Sequence, residues 1–90
     1  RVIKLFGNFY VKADNYKEAI ALYQKALEVD PLLENCYRQI MLCYLALGKK
    51  SEAVNTYRSC ARIMKSSLGV EPGKETTQIY NELRNAADIK

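Results

Sequence analysis

Arg58, Arg62 and Lys65 recur at i, i+4 and i+7. On a helix this spacing sets three cations along one face, where they can hold phosphate or carboxylate. Glu52 stands near the start of the same helix, and no polar–aromatic reading surface accompanies the stripe. A solvated helix face is the simpler expectation, and contact with an acidic protein or DNA the sharper one. Catalytic chemistry finds less to work with. The chain has no histidine, the commonest general base. Its acidic residues scatter over expected helix surfaces or stand at helix starts. Gly69 and Gly73 flank Pro72 with no strand before them and no Lys-Ser/Thr after them, so they form no phosphate loop. Cys36, Cys43 and Cys60 make no C-x-x-C pair, and each falls within an apolar helical pattern. They read as small buried hydrophobes kept reduced. A zinc site wants four ligands, and histidine is not there to help. The expectation is no enzyme, no cofactor, no metal and no small-molecule ligand.

The bulk numbers agree with a modest binding domain. Ninety residues make one domain at most. Fourteen basic against 10 acidic residues leave a net charge of +4. That suits an acidic partner but falls short of the dense basic patch of a nucleic-acid binder. No apolar run approaches the roughly 20 residues of a membrane span, and no signal peptide is expected. A chain that begins at Arg1 reads as a piece of a longer protein, and a cytoplasmic one.

The elements that must position these residues follow from an internal repeat. Residues 1–31 set against 35–65 pair Tyr10 with Tyr44, Glu18 with Glu52, Ala19 with Ala53 and Tyr23 with Tyr57. Lys4 meets Arg38, Phe6 meets Ile40, and Asp14 meets Gly48 at a turn. The first repeat carries Ile3, Phe6-Gly7, Tyr10, Ala19, Tyr23, Ala26 and Pro31, and so resembles the tetratricopeptide pattern. The second keeps Tyr37, Ile40, Tyr44, Gly48, Ala53 and Tyr57. It departs at Met41, Cys60 and Lys65. Small residues let paired helices approach, and tyrosines fill the space beside them. Met41 in a small-residue position is expected to set its helix pair slightly wider.

Helices are therefore expected over about 2–13, 16–29, up to Leu47, and from Lys50 or Ser51 to Leu68. Asp30 is a candidate N-cap with Pro31 at the first helical position. Gly48 stops the third helix. The segment Leu68-Gly69-Val70 reads as a Schellman ending, with Gly69 left-handed and Val70 folding back on the last turn. Gly73 is an acceptable N-cap for a last helix, with Glu75 favourably placed in its first turn. Ile79, Tyr80, Leu83 and Ala87 form the face that covers helix four, as the end of a repeat stack requires. The fold class is all-α: two tetratricopeptide-like hairpins and a C-terminal capping helix, five helices in an α–α superhelix. Repeat one covers 1–33, repeat two 34–68, and the cap 69–90.

Three stretches narrow the family. They are Asp30-Pro31-Leu32 with Glu34, Gly48 before Ser51-Glu52-Ala53, and Leu68 through Thr76. Together they resemble the bacterial transcriptional activator domain of Streptomyces antibiotic regulatory protein type regulators and related response regulators. The family usually has Ser-Pro where this chain has Gly73-Lys74. The resemblance implies a module for protein–protein contact, oligomerisation or regulation. It also implies that DNA is bound by a winged-helix domain preceding the module, outside this chain.

The repeat register places Lys4, Asn8, Asn35, Arg38, Gln39, Leu42 and Leu45 on the inner face. That is a polar-basic groove with an apolar end, suited to a segment carrying acids and a few apolar anchors. A second resemblance competes. Chaperone-binding tetratricopeptide proteins clamp an acidic C-terminus with Lys-x-x-Gly-Asn, a further Asn, and then a Lys and an Arg. Lys4 through Asn8 match the first element, and Gln39 stands at the second. Gly69 and Gly73 fall where both later cations would be.

Overall fold

The structure is a computed structural model that describes residues 15–89, with side chains as far as residue 85. Among these residues it is all-helical, with no strand. Four helices are described: α1 (Tyr16–Val29), α2 (Glu34–Ala46), α3 (Lys50–Leu68) and α4 (Lys74–Ile89). The helix expected over 2–13 lies outside the described residues. No described helix is long and apolar enough to cross a membrane.

Short joints make α1/α2 and α2/α3 neighbours, as connections of a few residues do in helical proteins. Each pair has its own core. Ala19, Ile20 and Tyr23 of α1 meet Cys36, Ile40 and Cys43 of α2. Tyr37 of α2 meets Cys60 and Met64 of α3. A third cluster joins Met41, Ala53 and Leu83, with Tyr44, Tyr57, Ile79 and Tyr80 around it. The repeat-related positions Tyr37, Ile40, Met41, Ala53 and Cys60 are all buried.

That third cluster shows where α4 sits. It packs against α2 as well as α3, rather than on α3 alone as its sequence face suggests. Met41 is the reason. It is fully buried against Ala53 and Leu83, so its bulk serves the cap helix. Tyr57 of α3 stacks on Tyr80 of α4, with ring centroids 4.1 Å apart and planes 9° from parallel. Such stacking adds about 0.5–1.5 kcal/mol beyond area burial.

The joints differ from expectation in three places. Asp30 does not cap α2. Its carboxylate accepts from the Leu32 amide at 3.1 Å, which uses it within the turn, and α2 starts at Glu34 with Leu33 as N-cap. Pro31 still contributes, because its carbonyl accepts from the Tyr37 hydroxyl at 2.9 Å. The Schellman ending is found at Gly48, at φ 77°. There Lys49 N–H donates to Tyr44 O at 2.8 Å and Gly48 N–H to Leu45 O at 3.0 Å, the paired bonds of that motif. Gly69, at φ 70°, makes the simpler ending, donating to Lys65 O at 2.9 Å. The Val70 amide turns back to Met64 O at 3.5 Å, so its backbone folds over the last turn as expected, while the residue stays 44 % exposed.

The start of α4 is held from a distance. The Glu34 carboxylate accepts from Gly73 N–H at 2.6 Å and from the Thr76 hydroxyl at 2.5 Å. Gly73 O in turn accepts the Thr77 amide at 3.0 Å, opening the helical ladder. Gly73 has no side chain to cap with, and Glu34 supplies the capping carboxylate from the first residue of α2. Capping and charge-assisted hydrogen bonds of this kind each contribute about 1–2 kcal/mol. Replacing Glu34→Ala is expected to lower unfolding stability in urea by about 1–2 kcal/mol. Glu34→Gln should recover part of that loss, since an amide oxygen can still accept.

Candidate partner interface

Two of the residues expected on the open inner face, Arg38 and Gln39, are covered by the chain itself, while Asn35 and Leu45 stay exposed. Arg38 donates to Thr76 Oγ1 and to Asn35 Oδ1, both at 3.2 Å. Its guanidinium also lies 3.9 Å from Glu34 and 3.6 Å from Glu75. The side chain is 19 % exposed. Gln39 is buried, at 3 % exposure. Arg38 and Gln39 therefore do not project into a free groove at this end of the molecule. The cap helix brings Thr76 and Glu75 onto α2, and Arg38 offsets the charge of the two carboxylates beside it. Leu42 is half-buried and Leu45 exposed. Lys4 and Asn8 lie outside the described residues.

The basic stripe, in contrast, stays on the surface. Arg58, Arg62 and Lys65 are all exposed along α3. Lys65 pairs with Glu71 at 3.7 Å. Arg58 lines an open hollow between α3 and α4 together with Lys50, Val54, Asn55, Leu83 and Arg84. The Arg84 guanidinium lies 5.7 Å from the Tyr80 ring centroid, so the stacked pair Tyr57–Tyr80 helps fix it in place. Among the described residues, ion pairs within 4.0 Å involve Arg38 and Lys65, and none involves Lys50, Arg58 or Arg84. Lys50 shares a helix face with Arg58, two turns away, and was legible in principle. Arg84 was not, because it comes from another helix whose register is set only by packing.

The three thiols are free and buried. Burial pushes Cys43 up to about 11 from its ordinary 9.0. Burial does the same to Cys60, to about 11, with Glu34 adding to the rise and Arg38 opposing it. Cys60 Sγ also donates to Met64 Sδ at 3.7 Å. Cys36 is raised by burial first and by Asp30 second. These are poor nucleophiles near neutral pH. They suit packing.

The family model of the bacterial transcriptional activator domain matches residues 2–84. The chain belongs to the bacterial transcriptional activator domain family. Among curated proteins, the Homo sapiens mitochondrial import receptor subunit TOM34 is 38 % identical over 65 residues, covering 72 % of this chain and 20 % of the relative. Rattus norvegicus sperm-associated antigen 1 is 40 % identical over 53 residues, covering 59 % of this chain and 6 % of the relative. The Homo sapiens intraflagellar transport protein 88 homolog is 28 % identical over 89 residues, covering 93 % of this chain and 10 % of the relative. The chain thus spans a fifth or less of these relatives' lengths. No solved structure matches it.

A pH consequence follows from the thiols. A folded-state pKa raised by burial favours the protonated, folded form. The stability that these two thiols contribute is fully present below about 9 and is lost as pH rises through about 11. A thiol-reactive dye at pH 8 should label the native chain slowly at Cys43 and Cys60, and rapidly once denaturant is added. Fast native labelling at either would contradict their burial.

Proposed function

We propose that this chain is the protein-interaction and regulatory module of a bacterial transcriptional activator whose DNA-binding winged-helix domain lies outside it. The observation that carries the reading is the family match over residues 2–84. Supporting it, two of the stretches that resemble the family meet in space: Glu34 holds Gly73 and Thr76. The architecture proposed is two tetratricopeptide-like hairpins and a cap in one domain over 1–90, five helices in a superhelix. The buried repeat-related positions of the second hairpin favour it. The module works by contact, as a non-enzyme without cofactor or small-molecule ligand. Its partner is its own DNA-binding domain, a second regulator subunit or the transcription machinery, in the cytoplasm and in a response-regulator-like architecture. DNA is reached through the domain outside this chain. The chain alone should therefore fail to retain a promoter fragment sequence-selectively at physiological salt, because a net charge of +4 with interspersed acids supports only weak, salt-sensitive binding. Sequence-selective retention in a mobility-shift assay would overturn this division of labour.

A second reading has one observation in its favour, the likeness to import receptor subunit TOM34 and sperm-associated antigen 1, relatives that carry tetratricopeptide repeats. On that reading the module is an adaptor or co-chaperone that clamps an acidic peptide C-terminus. Gly69 and Gly73 stand where its last cations belong, and Arg38 is spent on the cap. Calorimetry separates the two readings. A free acidic C-terminal peptide is expected to show no binding that depends on its terminal carboxylate. Micromolar affinity abolished by amidating the terminal carboxylate would favour the clamp.

A further inference from the structure

The cations on the two helices at the end of the molecule are not used alike. Arg38 is enclosed by Glu34, Glu75 and Thr76. Lys65 is paired with Glu71. Lys50, Arg58 and Arg84 instead converge on one hollow from two different helices. Among the described residues no carboxylate pairs with any of them. Three like charges gathered on one surface repel one another, and an anionic occupant relieves that.

We propose that this hollow between α3 and α4 docks an acidic segment of a partner protein. Its carboxylates would lie on Lys50, Arg58 and Arg84, with a small apolar side chain against Val54. The inference rests on the reading of the chain as a protein-binding module and gives that module a surface.

Four observations support the occupant's chemistry. Val54 and Leu83 supply apolar lining, while Ser51 and Asn55 offer hydrogen-bond donors beside them. Charged rims around a small apolar floor are how acidic segments with an apolar anchor are held. Arg62 lies exposed on the next turn of α3 and extends the positive strip, and the Lys65–Glu71 pair bounds it. Arg84 is steadied over Tyr80, so one of the cations is positioned before binding, which lowers the ordering cost. A nucleic acid fits less well. Binding single strands calls for aromatic faces on which bases stack, and the Tyr57 and Tyr80 rings are engaged with each other. Three cations supply little of the phosphate neutralisation that duplex binding needs.

A comparison site lies on the same molecule. A second hollow is lined by Lys17, Tyr44, Leu47 and Lys49, but Glu52 stands among them and supplies an anion of its own.

The test is titration of the ninety-residue chain with a short peptide of alternating glutamate and leucine. The peptide is acetylated and amidated so that it has no terminal carboxylate. Its glutamine counterpart and a short duplex DNA are run in parallel. The glutamate peptide is expected to bind in a salt-dependent way and the glutamine peptide not to bind. Arg58→Gln with Arg84→Gln should weaken binding by about tenfold or more, while Lys49→Gln leaves it unchanged. Arg58→Gln alone keeps the Arg84–Tyr80 contact and should weaken binding about threefold, so a folding defect in the double variant does not decide the result. Absence of peptide binding overturns the proposal, as does equal binding of both peptides. So does unchanged affinity in the Arg58 variants, or tighter binding of the DNA. If affinity is lost in Lys49→Gln instead, this site falls while the protein-binding reading stands. That reading fails separately, through the promoter experiment.

Discussion

A helix that begins at Lys74 with Gly73 just before it has amide donors at its start and no side chain at the capping position to satisfy them. Glu34 solves this from the first residue of α2, placing one carboxylate oxygen against both the Gly73 amide and the Thr76 hydroxyl. The approach is close. A Cβ on residue 73 would meet that oxygen at 3.1 Å, so glycine there trades a weak local cap for a strong one supplied by another helix. A partly buried carboxylate would be costly alone. Arg38, one turn along α2, stands beside it and also reaches Thr76 and Glu75. The clasp fixes the direction of the cap helix, and the apolar contacts behind it depend on that direction.

Those contacts explain why the last helix lies across a hairpin rather than along one helix. Leu83 is 1 % exposed and packs on Met41 and Ala53. In the repeat register, position 41 is where a small residue lets the two helices of a hairpin meet. Methionine there is unbranched and adaptable. Its side chain extends to the cap helix and ties α2, α3 and α4 into one cluster. The stacked tyrosines then lock α3 to α4. Clasp, methionine and tyrosine pair all engage α4, at Gly73 and Thr76, at Leu83 and at Tyr80, so the cap is held near its start and at its middle.

Two polar residues that a tetratricopeptide groove would offer are drawn inward, Arg38 into the clasp and Gln39 into burial. The charge left available lies on the outer side, where α3 and α4 meet. A domain with a modest net charge of +4 thereby presents three cations on one hollow, and the carboxylates that pair within 4.0 Å among the described residues pair with other cations. Glu34 and Glu75 flank Arg38, and Glu71 faces Lys65.

Much of this was written in local chemistry. Helix spans 16–29 and 50–68 follow from apolar periodicity and from the stops at Asp30-Pro31 and Gly69, because these signals act within a few residues of themselves. The burial of Ala19, Tyr23, Ala53 and Cys60 follows from the repeat. The stripe of Arg58, Arg62 and Lys65 follows from helical spacing. Glu34 and Thr76 could be singled out as members of family-like stretches, but their meeting could not be seen. They stand 42 residues apart, and hydrogen bonds at that separation depend on how α4 docks. The same limit hid Arg84 beside Arg58, the withdrawal of Arg38 from the groove, and the partner of Met41. Sequence by itself determined what each helix is and which face it buries. Tertiary structure alone decided which charges meet, because helix-to-helix register is set by the summed packing of many side chains rather than by any local pattern.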